Sequence, residues 1–317
     1  MKTKTPLCLA LCLLLAAVAC QNKEAGNAGS ANSSITENTA KPAASANTTS
    51  DASTKSPLKP GEIPFNGFPT VGTTAKASEV VLVPSYNWIQ DAATKGPGQV
   101  TFIFYAQKMS EPGDVESEVE FLSPGKAKVS NAYIVPIPAG QTAKVGDIVL
   151  TWWQSGSGMN RAIVVEAGNP SEPTVRYLDI DYDNPAKSSD GKTTIGQMAE
   201  KLKPNSFIKI SGAWEPGTVI AVNDGASKKR VQVIRVAGDK VLALGFAGSL
   251  KVYDKTGSTP VPVIPSVKAG DKVKVPFAGT FTDATVTKVD AKIGRVFVKM
   301  GTSSEERAIA FGDVMAG

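Results

Sequence analysis

Past residue 60 the chain alternates. In KVKVPF, Val273, Val275 and Phe277 take turns with Lys272, Lys274 and Pro276. In RVFVKM, Val296, Val298 and Met300 alternate with Arg295, Phe297 and Lys299. A period of two marks a strand with one face buried and the other wet. The runs are short, rich in β-branched residues and closed by Gly, Pro, Asp or Asn, as strands joined by tight turns are. Only one stretch carries helical spacing: Ile195, Met198, Ala199 and Leu202, with Thr194 and Gln197 set for a capping box and Pro204 as a stop. The pattern predicts a mostly β protein with one short helix.

The strand pattern also repeats, which bears on the fold more than any single run does. Similar stretches begin at Thr74, Thr142, Lys201 and Ser266. Each has a lysine (Lys76, Lys144, Lys203, Lys268), a turn and an alternating strand. A second strand then opens near a small residue: Ala92, Ala162, Gly217 or Ala284. Four or five short strands in about 60 residues hide their edges by curling into a small barrel. The order GDKVKVPFAGTFTDATVTKVDAKIGRVFVKMG resembles a Tudor-like, SH3-like barrel, as does GAWEPGTVIAVNDGASKKRVQVIRV. The resemblance spans residues 142–317 and extends more thinly over 74–141. It implies tandem barrel modules at 142–200, 201–265 and 266–317, preceded by a divergent β module at 63–141.

The other end of the chain has a different texture. From Gln21 to about Pro60 it is Ala, Ser, Thr, Asn and Lys with hardly a core former. Such a segment buries too little apolar surface to offset its ordering entropy, so residues 20–62 are expected to form a disordered tether. About 40 residues of this kind reach roughly 35 Å. Before it, Lys2 and Lys4 precede an unbroken apolar run, Leu7 to Ala19. That run is too short for a bilayer span and fits the core of a secretory signal over residues 1–19. Ala17-Val18-Ala19-Cys20 resembles the lipobox of bacterial lipoproteins, although leucine is commoner where Ala17 stands. The resemblance implies cleavage before Cys20, acylation of that residue and anchorage in a membrane. Gln21, which is not Asp, points by the same resemblance to the outer membrane and leaves the face open.

Composition narrows the chemistry. Cys8 and Cys12 leave with the signal, so no disulfide forms within one mature chain. The histidine count is 0. That removes the commonest general base and transition-metal ligand, and with it serine–histidine and cysteine–histidine catalysis. The charge is mild, 34 basic against 29 acidic side chains, two of the basic ones in the signal. A nucleic-acid binder would concentrate basic residues on one face, so no nucleic-acid partner is expected. Lys228-Lys229-Arg230 reads as a solvated hairpin turn.

Tudor-family readers of methylated side chains use an aromatic cage, and that resemblance directs attention to the rings. Trp214 and Phe281 stand at comparable places in their copies, with Trp88 and Trp152-Trp153 in the others. One ring per copy makes a lid on a small core rather than a cage. Neighbours on a strand face opposite ways, so Trp152 or Trp153 should emerge to stack on a sugar, fill a partner's pocket or pack between modules. Asp179, Asp181 and Asp183 match the first, third and fifth places of a calcium loop. The match then fails at Asn184, Lys187 and Asp190, so a strand with solvated aspartates is the expected form and no metal or cofactor is implied. The sum is a non-enzymatic, lipid-anchored envelope protein whose barrels bind a glycan such as cell-wall polymer, or another envelope protein. A surface adhesin and a carboxylate-dependent glycan-acting enzyme remain as alternatives.

Overall fold

A computed structural model describes residues 65–183, 185–187 and 191–317. The signal, Cys20 and the tether lie outside these residues, as do Asn184 and Asp190. The described chain is mostly β. A first set of strands is β1 (Val80–Pro84), β2 (Phe104–Glu111), β3 (Glu116–Glu120), β4 (Lys126–Ser130) and β5 (Val135–Ile137). The second is β6 (Ile148–Trp152), β7 (Met159–Glu166), β8 (Thr174–Tyr177), β9 (Ala199–Lys201) and β10 (Ile208–Ile210). The third is β11 (Val219–Asp224), β12 (Ser227–Ala237), β13 (Lys240–Leu244), β14 (Leu250–Asp254) and β15 (Ser258–Pro260). The fourth is β16 (Lys272–Phe277), β17 (Thr280–Asp290), β18 (Arg295–Met300), β19 (Glu306–Ala310) and β20 (Met315–Ala316).

All four sets share one topology. Their first four strands form an antiparallel meander, and the fifth returns to pair with the first: β5 with β1, β10 with β6, β15 with β11, β20 with β16. The third and fourth sets join where Lys229 lies opposite Thr280, giving one 10-stranded sheet. The expected boundary after residue 200 therefore cuts through β9, and the next strand, Ile208–Ile210, closes the second set against β6. KLKPNSFIKI ends one module rather than beginning another.

One local device recurs in every set. A residue at positive φ precedes the first strand: Ser78 at 72°, Gly146 at 88°, Gly217 at 90° and Gly270 at 92°. Its N–H donates to the carbonyl of Met109, Val164, Val233 or Val286, at 2.8–2.9 Å. Immediately after each of those residues the pairing of second and third strands slips by a β-bulge. A bulge bends and twists its strand, which is how a short sheet curls. In three copies an acid fastens the turn from outside: Glu79, Asp147 and Asp271 accept the backbone N–H of Lys76, Lys144 and Lys268 at 2.8–2.9 Å. What recurs is that amide; the ammonium plays no part in the bond. The third copy uses Glu215-Pro216-Gly217-Thr218 here, so Lys203 is not its counterpart.

The modules pack on one another, and this changes the strand pattern. Ile220 and Val222 of β11 enter the third module's own core, while Val219 and Ala221 on the opposite face pack with Val261, Phe281 and Met315. Ile148 and Leu150 likewise join the large shared core, and Val149 the second module's. Strands buried on both faces lose their alternation.

The helix lies elsewhere than the spacing predicts. Residues 195–197 form a single 3-10 turn, with the Thr194–Gln197 capping box present. Ala199–Lys201 then extend to pair with β8. Gly196 weakens a helix there by about 1 kcal/mol, and the open edge of β8 offers the backbone a better partner. The one α-helix among the described residues is α1 (Tyr86–Lys95), which burrows Ile89 and Ala92 into the first module and ends at Gly96. Trp88 therefore sits on a helix.

Candidate functional site

The most concentrated chemistry lies where the second, third and fourth modules meet. Arg161, on β7, is 2 % exposed. It donates from Nε (3.0 Å) and Nη2 (2.6 Å) to Asp179 Oδ1, and its backbone N–H reaches Asp179 Oδ2 at 2.7 Å. Nη2 also meets Asp313 Oδ2 at 2.8 Å, and Nη1 the Phe311 carbonyl at 3.2 Å. Arg230, on β12, donates from Nε to Asp313 Oδ1 at 2.7 Å and stands 3.5 Å from Asp179. Buried charges persist only when paired and hydrogen-bonded in this way. Burial alone pushes the Asp179 carboxyl up, but Arg161 and then Arg230 outweigh it and hold the group at about 2. Burial likewise works against the charge on Arg161, and the two carboxylates override it and raise its pKa.

This corrects two expectations. Asp179 is not a solvated strand residue: its backbone faces water, but its side chain is 18 % exposed and committed to arginine. Arg230 is not part of a solvated turn, since Ser227–Ala237 is strand and its guanidinium closes the network. With Asp179 so engaged, and Asp181 accepting the N–H of Asp183 at 3.0 Å, no metal-holding acidic cluster forms among the described residues.

Beside the network runs an open groove of about 470 Å³. It is lined by residues 178–182, by β19 and the β16–β17 hairpin, and by Phe246 of the β13–β14 turn. Arg295 also lines it and is 3 % exposed. It donates to the Tyr177 carbonyl at 2.8 Å and stacks 5.3 Å from the Tyr182 ring centre. Burial pulls its pKa down to about 10, which leaves it charged at neutral pH. Arg307, on β19, is exposed and stacks 5.4 Å from the Phe277 ring centre. No carboxylate pairs with it among the described residues. Phe246 is 73 % and Phe277 51 % exposed. The two turns that carry these rings are wedged together, since a Cβ on Gly279 would lie 2.6 Å from that of Phe246. Phe277 was expected on the buried face with Val273 and Val275; the hairpin turns it out at the strand's end.

The rings singled out from sequence are not brought together. Trp88 packs on the large core, Trp214 on the third module's core and Phe281 between the third and fourth modules. Trp214 precedes β11 at φ 66°, with the Lys255 ammonium 5.7 Å from its ring. Phe281 lies inside β17, so the two positions are not equivalent. Trp152 and Trp153 do face opposite ways, yet both are half-buried, one on the large core and one on the second module's. Neither lines the groove. Nor does Tyr177, whose hydroxyl donates to Glu200 at 2.6 Å. The groove's own residues had faint signals. Phe246 stands in a Gly-flanked turn, and Arg295, like Arg161 in the network beside the groove, interrupts an apolar strand without a visible partner.

No protein-family model matches the chain, and no curated protein matches it. Among solved structures, it is similar to the tandem Agenet domains 3–4 of ADCP1 at 18 % identity and a TM-score of 0.20, over 33 % of this chain and 81 % of that one. It is also similar to AGD34 of Arabidopsis thaliana AGDP1 at 17 % identity and a TM-score of 0.21, over 33 % and 83 %. At those scores the likenesses add nothing to the strand pairing, which by itself makes the described chain a mostly β protein of four small antiparallel modules.

Proposed function

We propose that this is a lipid-anchored envelope protein, held through Cys20 in the outer membrane, whose modules form a binding surface and carry no catalytic centre. The observation that carries the reading is the groove, which three modules line and in which two exposed rings on interlocked turns stand beside an unpaired guanidinium on β19. Aromatic and arginine side chains on a rigid frame are the usual anchors of recognition. The carboxylates beneath are locked in ion pairs, a poor state for acid–base work, which needs a pKa near the operating pH. The tether supplies reach between membrane and groove, and the partner is an envelope protein or a glycan such as cell-wall polymer.

The anchor is tested by fractionation. Wild-type protein should sediment with membranes and take up a labelled fatty acid, and Cys20→Ser should do neither. Two acyl chains make membrane attachment stable, so an unlabelled, soluble wild-type protein would end the proposal. Protease shaving of intact cells then assigns the face, because an exposed tether is cut readily.

A further inference from the structure

The groove's wall contains a sheet edge. Arg307, Ala308, Ile309 and Ala310 all line it. Side chains alternate along a strand, so four consecutive residues border one groove only if the backbone edge itself faces it. The ladder confirms this. The Phe311 N–H donates to the Gly294 carbonyl at 2.8 Å, in register with Val296↔Ile309 and Val298↔Arg307. Hydrogen-bonded and non-bonded pairs alternate in an antiparallel ladder. Arg307 and Ile309 therefore spend their amides on β18, and the amides of Glu306, Ala308 and Ala310 point outward. Among the described residues β19 pairs with no strand but β18, and Ala308 is only half-buried.

We infer that the outer edge of β19 is a docking strand for an extended, acidic peptide segment of another protein, which adds to the sheet with a carboxylate at Arg307 and an apolar side chain between Phe246 and Phe277. The inference rests on the binding reading above. Charge selects the occupant. Arg307 presents an unpaired cation on the β19 side, while Arg230 is already neutralised by Asp313. Asp181, which also lines the groove, repels a carboxylate from its own vicinity. Main-chain bonds along the edge supply affinity, and the arginine and rings supply selectivity.

The test is panning a phage-displayed library of random peptides against the chain from residue 20 onward, carrying Cys20→Ser. Selected peptides should combine Asp or Glu with β-branched or aromatic residues. They should bind Arg307→Glu at least about tenfold more weakly, and repanning on that variant should select lysine or arginine instead. Ala308→Pro removes an outward N–H that the sheet does not use, which edge strands tolerate. It should abolish binding with the melting temperature held. Peptides indifferent to both substitutions, or enrichment without acidic residues, would overturn the inference. So would stronger binding after deletion of residues 21–62, since the tether would then be the occupant. A photo-crosslinker at position 246 in cells separates the two ideas. A glycan adduct there keeps the binding reading and sinks the peptide, whereas no adduct at all sinks both.

Discussion

Arg161→Ala will destabilise the protein by about 3–5 kcal/mol, the usual cost of leaving a buried counter-charge unpaired. At about 2–4 °C per kcal/mol for a chain of this size, the melting temperature should fall by roughly 10 °C. Asp179 would keep the backbone N–H of residue 161, at 2.7 Å, but as a charged partner only Arg230, at 3.5 Å, and Asp313 would lose one of its two guanidinium partners. The pH dependence gives the cause away. In the wild type the Asp179 carboxyl sits at about 2, below its unfolded value near 3.9. Its stabilisation is therefore complete above about pH 4 and is lost as pH falls toward 2. In the variant, burial is opposed far less, the carboxyl titrates higher, and protonation relieves the damage. The melting-temperature gap between the two proteins should narrow from pH 7 to pH 3. A gap that stays constant would mean that the ion pairs contribute nothing and that only packing was lost.

Gly312→Ala should do comparable harm without changing any charge. Gly312 has φ 80°, and a Cβ there would lie 2.5 Å from Arg161 Nη1. A left-handed alanine costs about 1–2 kcal/mol, and forcing an atom into a filled interior about 1–3 kcal/mol more. The guanidinium has nowhere to retreat, since it is held by Asp179, Asp313 and the Phe311 carbonyl. Calorimetry of the two single variants and the double variant decides whether they share a mechanism. With Arg161 already alanine, Gly312→Ala should cost only its backbone strain. Full additivity would show that the clash does not reach the network.

The strands were legible because their evidence is local. Val273 and Val275 alternate with lysines whatever the rest of the chain does, and both are buried. Ser85, Gly96 and Pro97 bracket α1 in the sequence as well, and Asp91 and Lys95 make the (i, i+4) pair that helices favour. The likeness of the stretch from Thr74 to the other repeats predicts a strand there instead, near Ala92. Leu202 suggested helix for a different reason: its burial comes from the end of an edge strand, and spacing alone does not distinguish the two. The network beside the groove was illegible because its partners lie far apart in sequence. Arg161 meets Asp313 across 152 positions, and no period within one strand records such a contact.

The pairing of first and fifth strands has a consequence for how such a chain comes to exist. Val80 lies opposite Ile137, Ile148 opposite Ile210, Ile220 opposite Pro260 and Val273 opposite Ala316. In each module the path enters and leaves side by side. A segment with adjoining ends can be duplicated in tandem without rerouting what comes before or after it. The geometry thus favours growth by copying, and contacts such as Arg161 with Asp313 hold one copy against another.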